Sequence, residues 1–260
     1  MNFLDLGLSE ETIKAVEDLG IVNPTTVQSD VIPSILQGKD VFTIAPQGCG
    51  KTISYVLPLL DIISKKKGAN ILVITPSSDH SVNVSDRFAV FNKYHSDSEG
   101  ESGGNSEDAN VVIGSPDLLL ELSNDGKAVL SDTNILVVDD INLIKKYKQL
   151  ENLEQILKNL PSDKQNIVYT NRRSKETQDI LDKILQAPEE IKVDKAKEAE
   201  AEVVAANFEK KESNKAPRNQ VHRFPQAQKD NEALELVKKN NSFNGKTPDF
   251  LTNKGILANE

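Results

Sequence analysis

Short apolar runs alternate with amphipathic stretches from the N-terminus to about residue 194. Runs rich in Val and Ile predict buried strands at Val41–Ala45, Asn70–Thr75, Asn110–Ile113, Asn134–Asp139 and Asn166–Thr170. In the stretches between them, apolar positions recur about every 3.6 residues. This periodicity predicts helices at Thr52–Ser64, Asp79–Phe91, Pro116–Leu122, Leu143–Leu160 and Lys175–Leu185. This alternation predicts an α/β fold, with one mostly parallel sheet that has helices on both faces.

Three further segments complete the pattern. Two helices are expected before the first strand, at Ser9–Leu19 and Thr25–Gln37, the second interrupted by Pro33. Residues 95–109 contain Gly, Ser and acidic residues but no Lys or Arg, which predicts a mobile acidic loop. Residues 195–260 are charged and Asn-rich without long apolar periodicity, which predicts a largely disordered or partly helical tail.

Composition narrows the class of protein. A net charge of -9 and the absence of Trp argue against a broad basic or aromatic surface for nucleic acid. The single cysteine, Cys49, excludes an intrachain disulfide, and the three histidines lack ligand spacing, so they are interpreted as surface or turn residues. The acidic start and the lack of a long apolar run predict an intracellular protein, cytoplasmic or nuclear, without a membrane segment.

The strongest chemical signal is APQGCGKT, residues 45–52, between an apolar strand and an amphipathic helix. Glycines let backbone N–H groups approach a phosphate, and the following helix directs its positive end at the same anion. Lys51 is predicted to reach the β- and γ-phosphates of a nucleotide, and the Thr52 hydroxyl to ligate Mg²⁺. The remaining predicted contacts of this loop are Ala45, Gln47, Gly48, Cys49 and Gly50. A glycine-rich turn beside an ordinary surface lysine is the alternative.

The loop and the region before it resemble the DEAD-box RNA helicase family. Residues 45–52 are similar to that family's phosphate loop, and the spacing of Phe3, Gly20 and Gln28 is similar to its adenine-reading motif. The resemblance implies ATP and Mg²⁺ as cofactors, with Gln28 pairing to adenine and Phe3 covering the base. It also implies a single RecA-like P-loop NTPase domain at residues 39–194, with residues 1–38 forming adenine-reading helices packed on it.

The family's Asp-Glu-Ala-Asp motif is represented here by Asp139-Asp140-Ile141-Asn142. Under the resemblance, Asp139 keeps the carboxylate that binds Mg²⁺ through water. Asp140 and Lys51 are the catalytic residues under the resemblance. Asp140 stands where the family has glutamate, and its side chain is one methylene shorter. A misplacement of about 1 Å can cost on the order of 100-fold in rate. Asn142 replaces the acid that couples this motif to the next, at residues 170–172. A capping Asp at a strand end is the alternative for this pair.

The similarity weakens in the segments that contact RNA and stops near Val193. Arginines of the family are absent from residues 76–81 and 115–118, so RNA binding is expected to be weak. The first hypothesis is a truncated ATP-binding protein with weak or no hydrolysis and no unwinding of its own. The second is a non-enzymatic scaffold, nucleotide-gated or inert, with a protein partner on the tail. The third is an active half whose second domain is supplied in trans.

Overall fold

A computed structural model describes residues 2–65, 68–95, 110–125 and 130–193. Residues 96–109 of the predicted acidic loop, and the whole of the predicted tail, lie outside this part of the chain. Within it, strands and helices alternate as the apolar pattern predicts, with most ends within one or two residues of the predicted position.

Six parallel strands of the described residues form one sheet in the order β3-β2-β4-β5-β1-β6. They are Val41–Ile44 (β1), Asn70–Ile74 (β2), Asn110–Gly114 (β3), Ile135–Val138 (β4), Gln165–Thr170 (β5) and Glu189–Lys192 (β6). The central strands β4 and β5 lie between β2 and β1, so the carboxyl ends of these four strands form one continuous edge. In open α/β sheets this edge is where ligands bind.

Helices cover both faces of the sheet. They are Glu10–Asp18 (α1), Thr26–Leu36 (α2), Lys51–Lys65 (α3), Ser78–Phe91 (α4), Pro116–Asn124 (α5), Ile141–Lys146 (α6), Leu150–Lys158 (α7) and Lys175–Ile184 (α8), with short 3-10 turns at Phe3–Leu6 and Asn92–Tyr94. Helices α1–α4 share one hydrophobic core with alternate strand residues such as Val41 and Val137. Helices α5–α8 share the other core with the intervening residues, such as Phe42 and Val138. Strand alternation thus divides the apolar surface between two layers.

A buried carboxylate joins the N-terminal helices to the domain. Asp61 on α3 is fully buried and accepts hydrogen bonds from the hydroxyls of Ser9 (2.7 Å) and Thr12. His95 Nε2 lies 2.8 Å from the Thr12 hydroxyl and 3.8 Å from Asp61 Oδ1, while Lys65 Nζ is 3.8 Å from Oδ2. Of the two alternatives for His95, a surface or a turn residue, the structure gives a turn residue, whose side chain is only 7% exposed. Burial lowers its pKa.

Two predicted helices differ from the structure. The helix predicted at Leu143–Leu160 is two helices, α6 and α7, because Lys148 adopts a left-handed backbone with φ 60°. The interruption predicted at Pro33 is also wrong, since α2 continues through this proline to Leu36. The pattern gave no sign of β6, in which only Ile191 is buried. No helix of the described residues is long and apolar enough to cross a membrane.

Candidate nucleotide site

The phosphate loop leaves β1 at Ala45 and turns directly into α3 at Lys51. Gly48 and Gly50 have φ of +87° and +86°, a backbone that side chains rarely adopt, which explains why glycine stands at both positions. Lys51 Nζ donates to the carbonyls of Ala45 (3.0 Å) and Pro46 (3.2 Å). Its ammonium therefore lies inside the curve of its own loop, at the positive end of α3, where an anion would be held by both.

The other predicted loop residues differ in exposure. Gln47 and Gly48 are exposed, whereas Ala45 and Cys49 are buried, and Thr52 is half-buried in the first turn of α3. The Cys49 thiol donates to the carbonyl of Pro46 at 2.9 Å, so this side chain packs under the loop. The surface available to a ligand is formed by backbone and by the short side chains at the tip.

The start of α2 holds the phosphate loop from the N-terminal side. Thr25 caps this helix, and its hydroxyl donates to the carbonyl of Cys49 at 2.9 Å. Gln28 Nε2 donates to the carbonyl of Gly50 at 3.4 Å, while its Oε1 accepts from the Thr25 N–H at 3.0 Å. A Cβ on Gly50 would lie only 2.5 Å from Gln28 Nε2. The predicted adenine-reading motif and the predicted phosphate loop are therefore in direct contact.

Phe3 lies deeper than a residue on the surface of a pocket. Its side chain is 4% exposed and belongs to the same hydrophobic core as α1–α4. With Ile13, Val16 and Ile21 it lines a small apolar cavity. The structure gives Phe3 the role of a core anchor for the N-terminal segment, and its contact with adenine stays a prediction.

The two predicted carboxylates lie at the end of β4, beside the phosphate loop. Asp140 Oδ2 is 3.8 Å from Lys51 Nζ, and the backbone N–H of Asp139 extends the sheet to the carbonyl of Ile74 at 2.9 Å. Burial raises the pKa of both carboxyls, and the positive charge of Lys51 opposes this rise in each case. Two carboxyl groups lie at one sheet edge, and neither is much exposed. Desolvation disfavours their charged forms unless a nearby cation compensates the negative charge.

The donor set fits a magnesium ion. The predicted ligands, Thr52 and Asp139, provide a hydroxyl and a carboxylate, and hard oxygen donors of this kind suit Mg²⁺. Asp139 is 8% exposed as a whole residue, and burial raises the pKa of both carboxyls, an effect that a nearby cation would oppose. A bound Mg²⁺ would supply charge neutralisation to the phosphates of a nucleotide held by the loop.

Asp140 has an unusual backbone and a second task. It is the N-cap of α6 with φ 62° and ψ 75°, and its Oδ1 accepts from the N–H of Leu143 at 3.3 Å. One oxygen therefore caps its own helix while the other faces Lys51. The capping alternative from the sequence is present together with the proximity to the phosphate loop.

Asn142 makes the link to the next segment that the sequence suggested was altered. Its Nδ2 has three acceptors within reach of its two hydrogens: the Thr170 hydroxyl (2.7 Å), the carbonyl of Arg172 (2.7 Å) and Asn171 Oδ1 (3.2 Å). Thr170 ends β5, the neighbour of β4, and Asn171 and Arg172 follow it. An amide therefore connects the two strand ends, although the residue types differ from the family pattern.

The predicted RNA-side segments begin two helices on the same edge. Ser77 and Ser115 are the N-caps of α4 and α5, and neither side chain makes a capping hydrogen bond. Asp79 and Asp117 lie in the first turns of these helices. Carboxylates there interact favourably with the helix dipole and occupy the position in which a phosphate would otherwise be attracted.

Sequence reasoning missed one side chain of the site. Tyr55, one turn after Lys51 on α3, is fully buried and donates its phenol hydrogen to Asp139 Oδ2 at 3.0 Å. Burial and then the negative charge of Asp139 raise the Tyr55 pKa well above its ordinary value, so the phenol stays protonated. A signal was available: Tyr55 follows Thr52 by three residues and so lies on the same side of the helix.

Comparison with known proteins decides the family. The sequence matches the model of the DEAD/DEAH box helicase over residues 25–180, which includes the phosphate loop, the carboxylate pair and Asn142. The chain belongs to this family. The DEAD-box family uses ATP with Mg²⁺.

Similar curated proteins are longer than this chain. The ATP-dependent RNA helicase DeaD of Haemophilus influenzae is 30% identical over 205 residues, which covers 74% of this chain and 33% of the relative. The DEAD-box ATP-dependent RNA helicase CshA of Geobacillus kaustophilus is 29% identical over 207 residues, covering 75% and 44%. The chain thus spans less than half the length of these DEAD-box relatives.

Solved structures agree on the fold. A DEAD box protein from Methanococcus jannaschii matches with a TM-score of 0.65 and 24% identity, covering 75% of this chain and 56% of that chain. A hypothetical ATP-dependent RNA helicase from Sulfolobus tokodaii matches with a TM-score of 0.63 and 26% identity, covering 72% and 57%. The RecA-like DEAD-box fold expected from the resemblance is confirmed.

Proposed function

We propose that this chain binds ATP with Mg²⁺ through residues 45–52 and selects adenine through Gln28. The observation that carries this proposal is the contact between α2 and the phosphate loop. Thr25 and Gln28 donate to two successive loop carbonyls, those of Cys49 and Gly50. A base bound beside Gln28 would therefore have its phosphates directed to the loop that the same residues hold.

The hydrogen-bonding capacity of Gln28 supports adenine selection. A primary amide has two N–H hydrogens and an oxygen with two lone pairs. In this structure one hydrogen is directed to Gly50 and one lone pair to the Thr25 N–H. One donor and one acceptor remain, and they complement adenine N7 and N6, whereas guanine presents O6 in place of the N6 donor.

We infer that hydrolysis by these 260 residues alone is weak or absent. Asp140 is one methylene shorter than the family's glutamate, and one of its oxygens caps α6. A carboxylate held to its own helix is poorly placed to orient a water against the γ-phosphate. The family's second domain supplies arginines worth ~10³–10⁵ in rate, and a domain supplied in trans would be expected to raise hydrolysis.

RNA is proposed as a weakly bound partner at the carboxyl edge of the sheet, where α4 and α5 begin. Asp79 and Asp117 place negative charge at the two helix starts where phosphates would bind. A protein partner is proposed for residues 195–260, which lie outside the described residues. Strand separation of an RNA duplex by the purified chain would contradict this part of the proposal.

The proposal is tested by calorimetric titration of ATP and of GTP, with Mg²⁺, into the wild-type chain and a Lys51→Ala variant. Wild type is expected to bind ATP more tightly than GTP. Lys51→Ala should weaken ATP binding by at least about tenfold, because a charge-assisted contact contributes roughly 1.5–3 kcal/mol. Lys158→Ala is the matched control, since this exposed lysine ends α7 shortly before β5 begins, at the edge of the sheet opposite the phosphate loop.

Equal affinities for ATP and GTP would contradict the role of Gln28 but not the role of the phosphate loop. Absence of binding by the wild-type chain would contradict the whole proposal and favour the non-enzymatic scaffold. Loss of binding in Lys158→Ala as well would show that the effect of Lys51 is not local.

A further inference from the structure

Tyr55 contacts one of the two side chains to which a metal role is assigned. Its hydroxyl donates to Asp139 Oδ2 at 3.0 Å, and Tyr55 follows Thr52, the other predicted ligand, by three residues on α3. Tyr55 lies on α3 and Asp139 directly follows β4, so the contact joins two elements whose contacting residues are 84 positions apart in the sequence.

The surroundings of the phenol fix its position. Tyr55 is fully buried, and its ring packs against the ring of Tyr169 on β5 with centroids 5.4 Å apart. The Tyr169 hydroxyl is 2.8 Å from Ser54 Oγ, which in turn donates to the carbonyl of Lys51 at 2.6 Å. Packed on all sides, the Tyr55 hydroxyl cannot swing to solvent when a ligand enters.

The geometry points to Tyr55 as a positioning residue for the Mg²⁺ of the bound nucleotide. By donating to Asp139 Oδ2, Tyr55 would fix the orientation of the carboxylate that is expected to hold the metal or its water. This inference rests on the proposed function, since it assigns a role toward the metal that accompanies ATP.

The expected magnitude follows from other metal sites. Partners that orient a ligating carboxylate or histidine cost about 10–100-fold in metal affinity when they are removed. Tyr55→Phe keeps the ring and removes only the hydroxyl, so it should weaken Mg²⁺ binding by about tenfold. ATP binding in EDTA should be unchanged, because the phosphate loop and Gln28 are left intact.

Tyr169→Phe is the matched control. It removes a hydroxyl from an equally buried tyrosine in the same ring pair, but its partner is Ser54 and not a carboxylate. A purely structural role would give similar results for the two variants. A positioning role would alter metal dependence in Tyr55→Phe alone.

The experiment measures ATP dissociation constants in EDTA and across a Mg²⁺ titration for wild type and both variants. The electron paramagnetic resonance spectrum of Mn²⁺ in each ATP complex serves as a second readout, and thermal unfolding without nucleotide as a folding check. The expected result is a Mg²⁺ midpoint about tenfold higher, with a changed Mn²⁺ spectrum, in Tyr55→Phe only.

The same Mg²⁺ midpoint in all three proteins would overturn the inference while leaving nucleotide binding established. A rise of equal size in both variants would overturn it too, since it would reflect the packing of the ring pair. Failure of Tyr55→Phe to fold when Tyr169→Phe folds would assign the hydroxyl to the fold itself. A wild-type chain that does not bind ATP would overturn both this inference and the proposed function.

Discussion

Gly50 shows how one missing side chain permits two motifs to touch. Its carbonyl accepts from Gln28, and its Cα lies so close to that amide that an added Cβ would be 2.5 Å from Nε2 and 3.0 Å from Thr25 Oγ1. Gly48 has nearly the same φ, but an added Cβ would have nothing within 4 Å. The two glycines therefore share a backbone requirement and differ in what surrounds them.

Gly50→Ala should reduce the free energy of unfolding by more than Gly48→Ala. Both changes introduce left-handed strain of roughly 1–2 kcal/mol, and only Gly50→Ala also displaces Gln28, at a further cost on the order of 1–3 kcal/mol. Urea denaturation of both variants measures the difference. In a Gln28→Ala background the additional loss should shrink, and an unchanged loss there would contradict the contact.

Individual site residues were predictable to different degrees. Lys51 and Thr52 were found because a strand, a glycine loop and a helix start follow one another in the chain. Tyr55 was missed because a buried tyrosine on a helix resembles any core aromatic, and its partner Asp139 is 84 residues away. Gln28 was selected for the base it would read, whereas its contact with the Gly50 carbonyl is visible only in three dimensions.

Among the elements, the break between α6 and α7 has a definite geometry. The N–H of Gln149 donates to the carbonyl of Ile144 at 3.1 Å, and the N–H of Lys148 donates to that of Lys145 at 2.9 Å. This pair of bonds is the Schellman motif, whose left-handed position is usually glycine. Because Lys148 occupies it, the sequence carries no stop signal, and one long helix was predicted where two exist.

Lys148→Gly should increase the free energy of unfolding by about 0.5–1 kcal/mol, since glycine adopts positive φ without the Cβ penalty. Gln155→Gly, an exposed position in the middle of α7, should decrease it by about 1 kcal/mol. Chemical denaturation of the two variants measures these opposite changes. Destabilisation by both would mean that Lys148 is held by interactions other than its backbone.

The remaining elements were predictable where burial imposes a pattern. Strands β1, β2, β4 and β5 are buried on both faces and read as continuous apolar runs. β6 was not predicted from the sequence because three of its four residues are exposed at the edge of the sheet: Glu189, Glu190 and Lys192. An edge strand needs little apolar character, and charges there protect it from pairing with other chains.

Across the whole domain, stability depends on how the N-terminal helices are fastened to α3. His95 contacts Thr12 and lies 3.8 Å from the buried Asp61, and burial lowers its pKa while the charges of Asp61 and Glu11 oppose this and Lys65 adds to it. The unfolded chain keeps the ordinary histidine pKa of about 6.5. As the pH is lowered past that value, the unfolded state binds a proton that the folded state takes up only at still lower pH. The free energy of unfolding therefore decreases as the pH decreases.

His95→Gln should therefore reduce the loss of unfolding free energy between pH 7.5 and pH 5.5. The raised pKa values of Asp139 and Asp140 act in the opposite direction, but they are present in both proteins and cancel in the comparison. Urea denaturation at the two pH values provides the measurement. The same pH dependence in wild type and variant would show that His95 does not titrate in this range.

The strand order also determines when the domain can form as it leaves the ribosome. β1 pairs with β5 on one side and β6 on the other, with Val41 opposite Ile167 and Glu189. The strand that ends in the phosphate loop consequently emerges early and has no neighbour until nearly the whole described domain has been synthesised. Such distant pairing slows folding and prolongs exposure of apolar strands. Nascent chains that end before β5 are thus the ones for which we expect the greatest need of a chaperone.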